Sequence, residues 1–380
     1  MQFRNFGRLD WKVSALGFGG MRLPTTDGDP RSANLDERES IRIIRRAIDR
    51  GVNYVDTAYF YHGGNSERVF GEALRDGYRK LVKLATKSPT WLLHEPADFD
   101  TKLAEQLQRL QTDHIDCYMF HGLNRKTWRE IVLKLNLLDR AEQARRDGRV
   151  RHFGFSFHDE FSAFQEIIDG YDHWDFTQIQ YNYMDTGNQA GTAGLKLAAE
   201  KGLAVIVMEP LLGGRLANPP AAILPIYEHA PSKRSPADWA LQWIWDQPEV
   251  SIVLSGMSAM EQVEANLQSA SRAKVHSFTE ADHAVIAELR RTYLERTPIP
   301  CTKCAYCMPC PNGVNIPRNL ELYNDAHLHE DFPGSRYVYK AFFPQAEHAD
   351  ACNDCDTCEE LCPQKIPISD WMPKIAAALQ

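Results

Sequence analysis

Apolar residues along the first three hundred positions follow two spacings that alternate with each other. Short apolar runs indicate buried strands, whereas apolar residues three or four positions apart, such as Ile41, Ile44 and Ile48, indicate helices. The predicted strands cover residues 13–18, 53–56, 81–86, 115–120, 150–156, 176–180, 203–208 and 251–254. Helices are predicted between them, among others near residues 138–146, 161–168, 195–201, 236–245 and 260–267.

Eight strand–helix repeats in succession predict an α/β fold, the (β/α)8 or TIM barrel, which typically has about 250 residues. An open doubly wound sheet shares this alternation and is the alternative. The G-x-G-x-x-G turn that would favour the alternative is missing after the first strand, where residues 16–21 hold glycines at a different spacing. We therefore expect the barrel, whose chemistry lies at the carboxyl ends of its strands.

Chemically active side chains follow three successive predicted strands. Asp56 ends the second strand and is followed by Tyr61, Lys87 ends the third, and His121 ends the fourth. Each alone has a structural explanation, such as a loop cap, a solvated charge or a packed histidine. Together they form a coherent set, because a lysine ammonium lowers a tyrosine pKa, a carboxylate holds the lysine, and a histidine can bond the same substrate oxygen. Such a set can protonate a carbonyl oxygen while a hydride reaches the carbon.

In these motifs the sequence resembles the aldo-keto reductases. Their D-T-A-x-x-Y motif corresponds to residues 56–61, their A-T-K to residues 85–87, and their histidine after the fourth strand to His121. The resemblance covers residues 1 to about 275 and implies NAD(P)(H)-linked carbonyl/alcohol interconversion on a small molecule. It makes Tyr61 the general acid, Lys87 and Asp56 the groups that tune it, and His121 the group that orients the carbonyl.

The resemblance also implies where a nicotinamide cofactor binds. Ser156 and Gln178 would bind the carboxamide, and Gln262 and Asn266 would lie near the adenosine. Three departures from the family pattern stand out. Phe157 follows Ser156 in place of asparagine, Met208 stands where many members stack a tyrosine, and residues 255–262, which include Gly256, contain no cation for a 2′-phosphate. We therefore expect a weak NADPH preference, so that NADH is not disfavoured.

Cysteines divide the chain. Eight of the nine lie after residue 300, and the proline content rises at the same place, which predicts a barrel domain at 1–297 and a second domain at 298–380. The remaining Cys117 is predicted to pack in the barrel core. No signal peptide is recognisable at residues 1–6, so this density of cysteine indicates metal binding rather than disulfides.

The eight cysteines form two runs of four. The first run is Cys301, Cys304, Cys307 and Cys310, in which two residues separate each cysteine from the next. The second run is Cys352, Cys355, Cys358 and Cys362, in which three residues separate the last two cysteines and two residues separate the others. The second run, ending in Cys-Pro, matches the bacterial ferredoxin pattern for 4Fe–4S clusters, whereas zinc sites use separated pairs. We predict a ferredoxin-like domain with two 4Fe–4S clusters. In ferredoxins the last cysteine of each run binds the cluster of the other run. By this resemblance, Cys362 would bind the cluster held by the first run, and Cys310 would bind the cluster held by the second run. A single cluster with spare thiols is the alternative.

Charge and hydropathy exclude several classes of partner. The chain has 43 Lys and Arg against 51 Asp and Glu, a net charge of −8, which gives no basic face for nucleic acid or a membrane surface. No apolar run approaches the ~20 residues of a membrane span, so we expect a cytoplasmic protein. If the clusters exchange electrons with the barrel, we expect a ferredoxin-like electron partner. If the clusters are structural, we expect the chain to be a plain carbonyl reductase. The alternative function is electron transfer or redox sensing, with a barrel that only binds a ligand or nicotinamide cofactor.

Overall fold

The computed structural model describes residues 1–28, 30, 32–301, 306–362 and 364–380. The chain forms two compact units, which are treated separately. The first contains Met1–Ala217 and Ala237–Ser277, and the second contains Asn218–Pro236 and Phe278–Gln380. The predicted boundary between residues 297 and 298 stays a prediction.

Eight parallel strands of the first unit close into a barrel, which confirms the predicted fold. The strands are β3 (Leu16–Gly19), β4 (Tyr54–Asp56), β5 (Lys83–Ser88), β6 (Ile115–Leu123), β7 (Val150–Phe157), β8 (Phe176–Gln180), β9 (Ala204–Met208) and β10 (Val250–Gly256). Each strand pairs with the next along the chain, and β10 pairs with β3, with Gly256 opposite Gly19. This closure excludes the open doubly wound sheet. All the strand ends that carry the predicted chemistry therefore meet at one rim.

Helices cover the outside of the barrel because each has one apolar face. In α1, for example, Ile43, Ile44, Ala47 and Ile48 are buried, while Asp36 caps the first turn. The helices of this unit are α1 (Glu37–Asp49), α2 (Asn65–Ala73), α3 (Pro96–Arg109), α4 (Arg125–Thr127), α5 (Leu137–Arg146), α6 (Phe161–Asp169), α7 (Gly191–Glu200), α9 (Pro236–Trp245) and α10 (Met260–Ala270); α8 belongs to the second unit.

An antiparallel hairpin of β1 (Phe3–Phe6) and β2 (Leu9–Ser14) precedes the barrel. The single strand predicted over residues 13–18 is therefore wrong: its first residues belong to the hairpin and the rest to β3, with a turn at Ala15 whose N–H donates to the Gln2 carbonyl. Phe6 stacks on Trp11 with ring centroids 4.3 Å apart and contacts Tyr54 and Phe176, which begin β4 and β8. The hairpin thus covers the amino-terminal end of the barrel, opposite the rim that carries the polar residues.

The second unit is helical. Its helices are α8 (Leu224–His229), α11 (Glu280–Arg296), α12 (Ile316–Leu328), α13 (Phe332–Phe342), α14 (Thr357–Glu360) and α15 (Ile368–Leu379). Apolar residues of α12 and α15, such as Leu320 and Met372, form its core together with Cys358 and Cys362. Within the described residues, no helix is both long and apolar enough to cross a membrane.

Candidate functional site

Asp56 and Lys87 form a buried ion pair at the carboxyl ends of β4 and β5. Lys87 Nζ lies 2.5 Å from Asp56 Oδ1 and also donates to the Thr57 carbonyl at 2.8 Å. Both side chains are almost completely buried. Gln178 Nε2, from β8 across the barrel, lies 3.4 Å from Asp56 Oδ2. The lysine is therefore fixed by two strands and faces the barrel mouth.

Burial and pairing act in opposite directions on these two groups. Burial raises the pKa of Asp56, and the Lys87 charge opposes that rise without cancelling it. Burial by itself would lower the pKa of Lys87, but the combined influence of Asp56 and Tyr61 raises it. Lys87 consequently keeps its proton and places a positive charge at the rim.

Tyr61 and His121 stand beside this charge. Tyr61 begins a short helical turn after β4, Tyr61–Gly64, and Lys87 Nζ lies 5.0 Å from the centroid of its ring. The Tyr61 and His121 rings lie edge to face with centroids 6.0 Å apart. The four residues predicted for catalysis from three strand ends are thus brought together in one place.

The protonation states of Tyr61 and His121 follow from their surroundings. Burial raises the pKa of Tyr61 above 10, and the neighbouring Lys87 charge limits the rise. Burial, followed by the charges of Lys87 and His158, lowers the pKa of His121 well below 6.5. At neutral pH the site therefore presents a phenol that holds its proton and an uncharged imidazole. The imidazole Nδ1 is buried and has no hydrogen-bond partner among the described residues.

Two further aromatic side chains border His121 at the mouth. Phe60 stacks on the imidazole at 5.2 Å, and Trp91 lies 5.2 Å from it and 5.1 Å from Phe60. Both are large apolar side chains left more than 40% exposed, Phe60 at 46% and Trp91 at 44%. Phe60 was missed from the sequence, although its place inside the D-T-A-x-x-Y motif was the available signal. These faces form an apolar wall suited to a substrate.

The positions predicted to bind nicotinamide lie on neighbouring strands β7 and β8. Ser156 and Gln178 are buried, and Ser156 Oγ accepts a hydrogen bond from the Gly122 N–H at 2.8 Å. The Gln178 amide oxygen is buried and accepts no hydrogen bond from the part of the chain that the structure describes. An orphaned acceptor of this kind suits the amide N–H of a carboxamide. These residues therefore fit the nicotinamide end of a dinucleotide.

The remaining predicted cofactor positions lie at the ends of β9 and β10. Met208 ends β9 half-buried, and Gly256 ends β10 exposed. The side chain of Gln262, in α10, points to the loop before that helix, where its Oε1 accepts a hydrogen bond from the Ser258 N–H at 2.8 Å. Asn266 of α10 is buried and donates to Ser255 Oγ at 3.0 Å. All four lie on the opposite side of the barrel mouth from β6, the strand that carries His121.

A buried polar network that the sequence did not reveal supports Lys87 from behind. Gln106 Nε2 of α3 donates to Glu67 Oε1 at 2.6 Å and to the Lys87 carbonyl at 3.1 Å, while its Oε1 accepts from the Tyr118 hydroxyl at 2.8 Å. Arg109 pairs with Glu67 at 3.2 Å. Amphipathic periodicity places Gln106 on the buried face of α3, and this was the only available signal.

Four cysteines line one cavity of the second unit. They are Cys310 from the first run and Cys352, Cys355 and Cys358 from the second. The Asn312 amide nitrogen lies 3.8 Å from Cys355 Sγ, and the rest of the lining is mainly apolar, including Ile368 and Met372. An all-thiol donor set in apolar surroundings fits an iron–sulfur cluster. Among the described residues, no three His, Cys, Asp or Glu side chains converge as ligands of a single ion.

The other cysteines are less completely placed. Cys301 and Cys307 are half-buried against the core of the second unit, where Cys362 is buried. Cys304 lies outside the described residues. Cys117 is fully buried in the barrel interior beside Met119, as predicted for a packing residue.

Comparisons with known proteins agree with these two parts. The model of the aldo/keto reductase family matches residues 15–291, and the model of the 4Fe-4S dicluster domain matches residues 300–366. The uncharacterized oxidoreductase YqkF of Bacillus subtilis is 26% identical over 306 residues, which are 71% of this chain and 92% of that protein. L-galactose dehydrogenase of Arabidopsis thaliana is 27% identical over 288 residues, 70% of this chain and 87% of that protein.

A solved structure shows the same barrel. The aldo-keto reductase AKR11C1 from Bacillus halodurans, in its holo form, superposes with a TM-score of 0.62 at 27% identity and covers 76% of this chain and 96% of its own. The family match spans most of the chain and coincides with the closed barrel and its rim of polar residues. The chain therefore belongs to the aldo/keto reductase family as an oxidoreductase, and it carries a 4Fe–4S dicluster domain after the barrel.

Proposed function

We propose that the barrel interconverts a carbonyl and an alcohol on a small molecule, with a nicotinamide dinucleotide as hydride carrier and Tyr61 as general acid or base. The observation that supports this most is the charged Lys87 held by Asp56 within 5.0 Å of the Tyr61 ring. A neutral His121 beside both offers a hydrogen bond to the same substrate oxygen.

Each residue has a separate part in the reduction. When bound, the reduced nicotinamide supplies the hydride that adds to the carbonyl carbon. Tyr61 donates its phenolic proton to the carbonyl oxygen, so that the carbonyl becomes an alcohol. Lys87 stabilises the phenolate that remains, and Asp56 holds Lys87 in place and charged. His121 orients the carbonyl, and Phe60 and Trp91 exclude water from one side of it.

We propose Ser156 and Gln178 as the residues that hold the carboxamide, with Met208, Gly256, Gln262 and Asn266 along the rest of the nucleotide. The free acceptor on Gln178 supports the first assignment. Residues 255–262 contain no Lys or Arg, so a 2′-phosphate has no cationic partner there. We therefore expect NADH and NADPH to bind with similar affinity, and a hundredfold advantage of NADPH in a fluorescence titration would contradict this.

We propose that the second domain, residues 298–380, holds two 4Fe–4S clusters. The shared cavity of Cys310 with Cys352, Cys355 and Cys358 supports the interleaved arrangement, in which Cys301, Cys304, Cys307 and Cys362 hold the other cluster. Bound clusters supply single-electron chemistry. A ferredoxin-like partner would then deliver or remove electrons.

Replacement of one hydroxyl tests the catalytic assignment. Tyr61→Phe should lower carbonyl reduction by at least about 10²-fold, because no other phenol stands beside Lys87, while nucleotide binding and the visible absorbance of the clusters stay unchanged. Tyr59→Phe is the matched control: its hydroxyl bonds Glu105 of α3 and not the site. Turnover that persists in Tyr61→Phe would show that the general acid is another group.

Anaerobic addition of NADH tests the connection between the two parts. Bleaching of the cluster absorbance and a new EPR signal would show that electrons pass from the barrel to the clusters. Full carbonyl reduction without bleaching would show that the clusters are structural.

A further inference from the structure

Arg22 is a cation at the barrel mouth for which the described residues provide no partner. It ends the helical turn Gly20–Arg22 that follows β3. Its Nη1 is buried and makes no hydrogen bond to any described residue, and no acidic side chain of the described chain pairs with it. Other part-buried arginines of the barrel are paired: Arg79 contacts Asp116 at 2.8 Å, and Arg109 contacts Glu67 at 3.2 Å. Arg22 therefore differs from them in having no counter-charge among the described residues.

An unmatched guanidinium at this depth indicates an anion that comes from outside the chain. Buried charged groups in folded proteins are normally paired, because an unpaired one loses its hydration without compensation. The guanidinium is planar and carries several parallel N–H donors, a geometry that matches the oxygens of a phosphate or carboxylate.

The backbone beside Arg22 is shaped to hold this side chain against β10. A Cβ built on Gly256 would stand 3.1 Å from Arg22 Cβ and 3.2 Å from its Cγ. Gly19 and Gly256 are paired across the ring closure, so the turn after β3 and the loop after β10 leave the barrel side by side. Glycine at 256 thus makes room for the arginine at the start of the loop that lacks cations of its own.

We propose that Arg22 binds the diphosphate of the nicotinamide dinucleotide. This inference rests on the proposed function, which puts the carboxamide at Ser156 and Gln178 and the adenosine near Gln262 and Asn266. The diphosphate joins these two ends of the molecule, and Arg22 lies at Gly256, at the rim end of β10. Residues 255–262 hold no Lys or Arg, so Arg22, on the other side of the ring closure, is the cation next to Gly256. Since both nucleotides share the diphosphate, Arg22 serves NADH and NADPH alike.

Fluorescence titrations with NADH and NADPH test this without any turnover. Arg22→Met should weaken both nucleotides by a similar factor of about 10- to 100-fold. Arg22→Lys should recover part of the affinity, and the difference between wild type and Arg22→Met should shrink at high salt. Arg151→Met is the matched control, because Arg151 is exposed near the beginning of β7, at the opposite end of the barrel. Far-UV circular dichroism confirms that the variants fold.

The outcomes separate this inference from the proposed function. Unchanged affinity for both nucleotides in Arg22→Met would overturn it, as would a loss confined to NADPH, which would assign Arg22 to the 2′-phosphate instead. If the wild-type protein binds neither nucleotide, the proposed function itself fails. Loss of affinity in Arg22→Met with retained chemistry in saturating nucleotide would support both.

Discussion

Lys87 lies between a carboxylate and a phenol, and the balance of its two neighbours decides which proton is mobile. Asp56 and Tyr61 together raise the lysine pKa, while the lysine charge restrains the rise of the tyrosine pKa that burial causes. Lys87 therefore holds its proton, and the phenolic proton is the one that we propose moves in the reaction. Removing the ion pair changes this balance without removing the hydroxyl that reacts.

The paired variant Asp56→Asn/Lys87→Met tests this coupling, since it removes both charges and leaves neither buried alone. Alcohol oxidation needs the phenolate, so its rate rises as pH rises through the pKa of Tyr61. The lysine acts on that pKa more strongly than the aspartate, so the pKa increases in the variant and the rise in kcat/KM should move to higher pH. An unmoved pH profile would show that Lys87 does not tune Tyr61.

His121 gives a second pH prediction. Because the pKa of its imidazole is held well below 6.5, the group stays uncharged throughout the range from about pH 6 to pH 8. The kcat/KM for carbonyl reduction should therefore show no inflection there. An inflection near pH 6.5 that disappears in His121→Asn would mean that the imidazole is charged in the working enzyme.

Among the elements, α3 does more than cover the barrel, since it holds the end of β5 through Gln106. One amide side chain meets Glu67, Thr86, the Lys87 carbonyl and the Tyr118 hydroxyl, all without access to water. Loss of the amide would remove the acceptor of the Tyr118 hydroxyl and a donor to the Lys87 carbonyl, whereas Glu67 and Thr86 would keep the bond between them. The helix thereby connects the stability of the fold to the position of Lys87.

Gln106→Leu should lower the free energy of unfolding by about 2–4 kcal/mol, because the leucine fills the space but leaves buried polar groups without partners. Urea titration followed by tryptophan fluorescence measures this. Gln108→Leu, on the exposed side of the same helix, is the matched control and should change stability by less than about 0.5 kcal/mol. Equal losses in the two variants would show that the network contributes nothing.

Most barrel elements could be predicted because strand runs and helical spacing are local properties of the sequence. Residues 176–180 and 236–245 agree with β8 and α9 at both ends. The hairpin was missed because residues 13–18 are mostly apolar and conceal the turn at Ala15. The residues proposed for catalysis could be predicted for the same local reason, since they follow strand ends. Arg22 and Gln106 were not, because their contacts with Gly256 and Glu67 depend on closure and helix packing.

In the molecule as a whole, the two cysteine runs are not two separate sites. Cys310 lines the same cavity as three cysteines of the second run, so sulfur atoms from residues about forty positions apart in the chain lie around one cavity. In the proposed arrangement, metal bonding would tie the ends of the cysteine-rich segment together. The helices α12 and α13 lie between the two runs in the chain.

EPR of single cysteine variants tests this sharing. Cys310→Ala and Cys352→Ala should lose the same signal and about half of the iron and sulfide, because both sulfur atoms would serve one cluster. Cys307→Ala should lose the other signal. Nucleotide binding in the barrel should be unchanged in all three. If Cys310→Ala behaved like Cys307→Ala instead, each run would hold its own cluster.

Closure of the ring between β3 and β10 also governs the order of events during synthesis. A chain emerging from the ribosome exposes Arg22 early, yet its neighbour Gly256 appears only when nearly the whole barrel has been translated. Until then β3 has a partner on one side only, and the proposed nucleotide site is incomplete. The sulfur ligands follow later still, from Cys301 onward. A nascent chain would therefore gain its place for the dinucleotide before it can receive iron, and a ribosome stalled before β10 would yield neither.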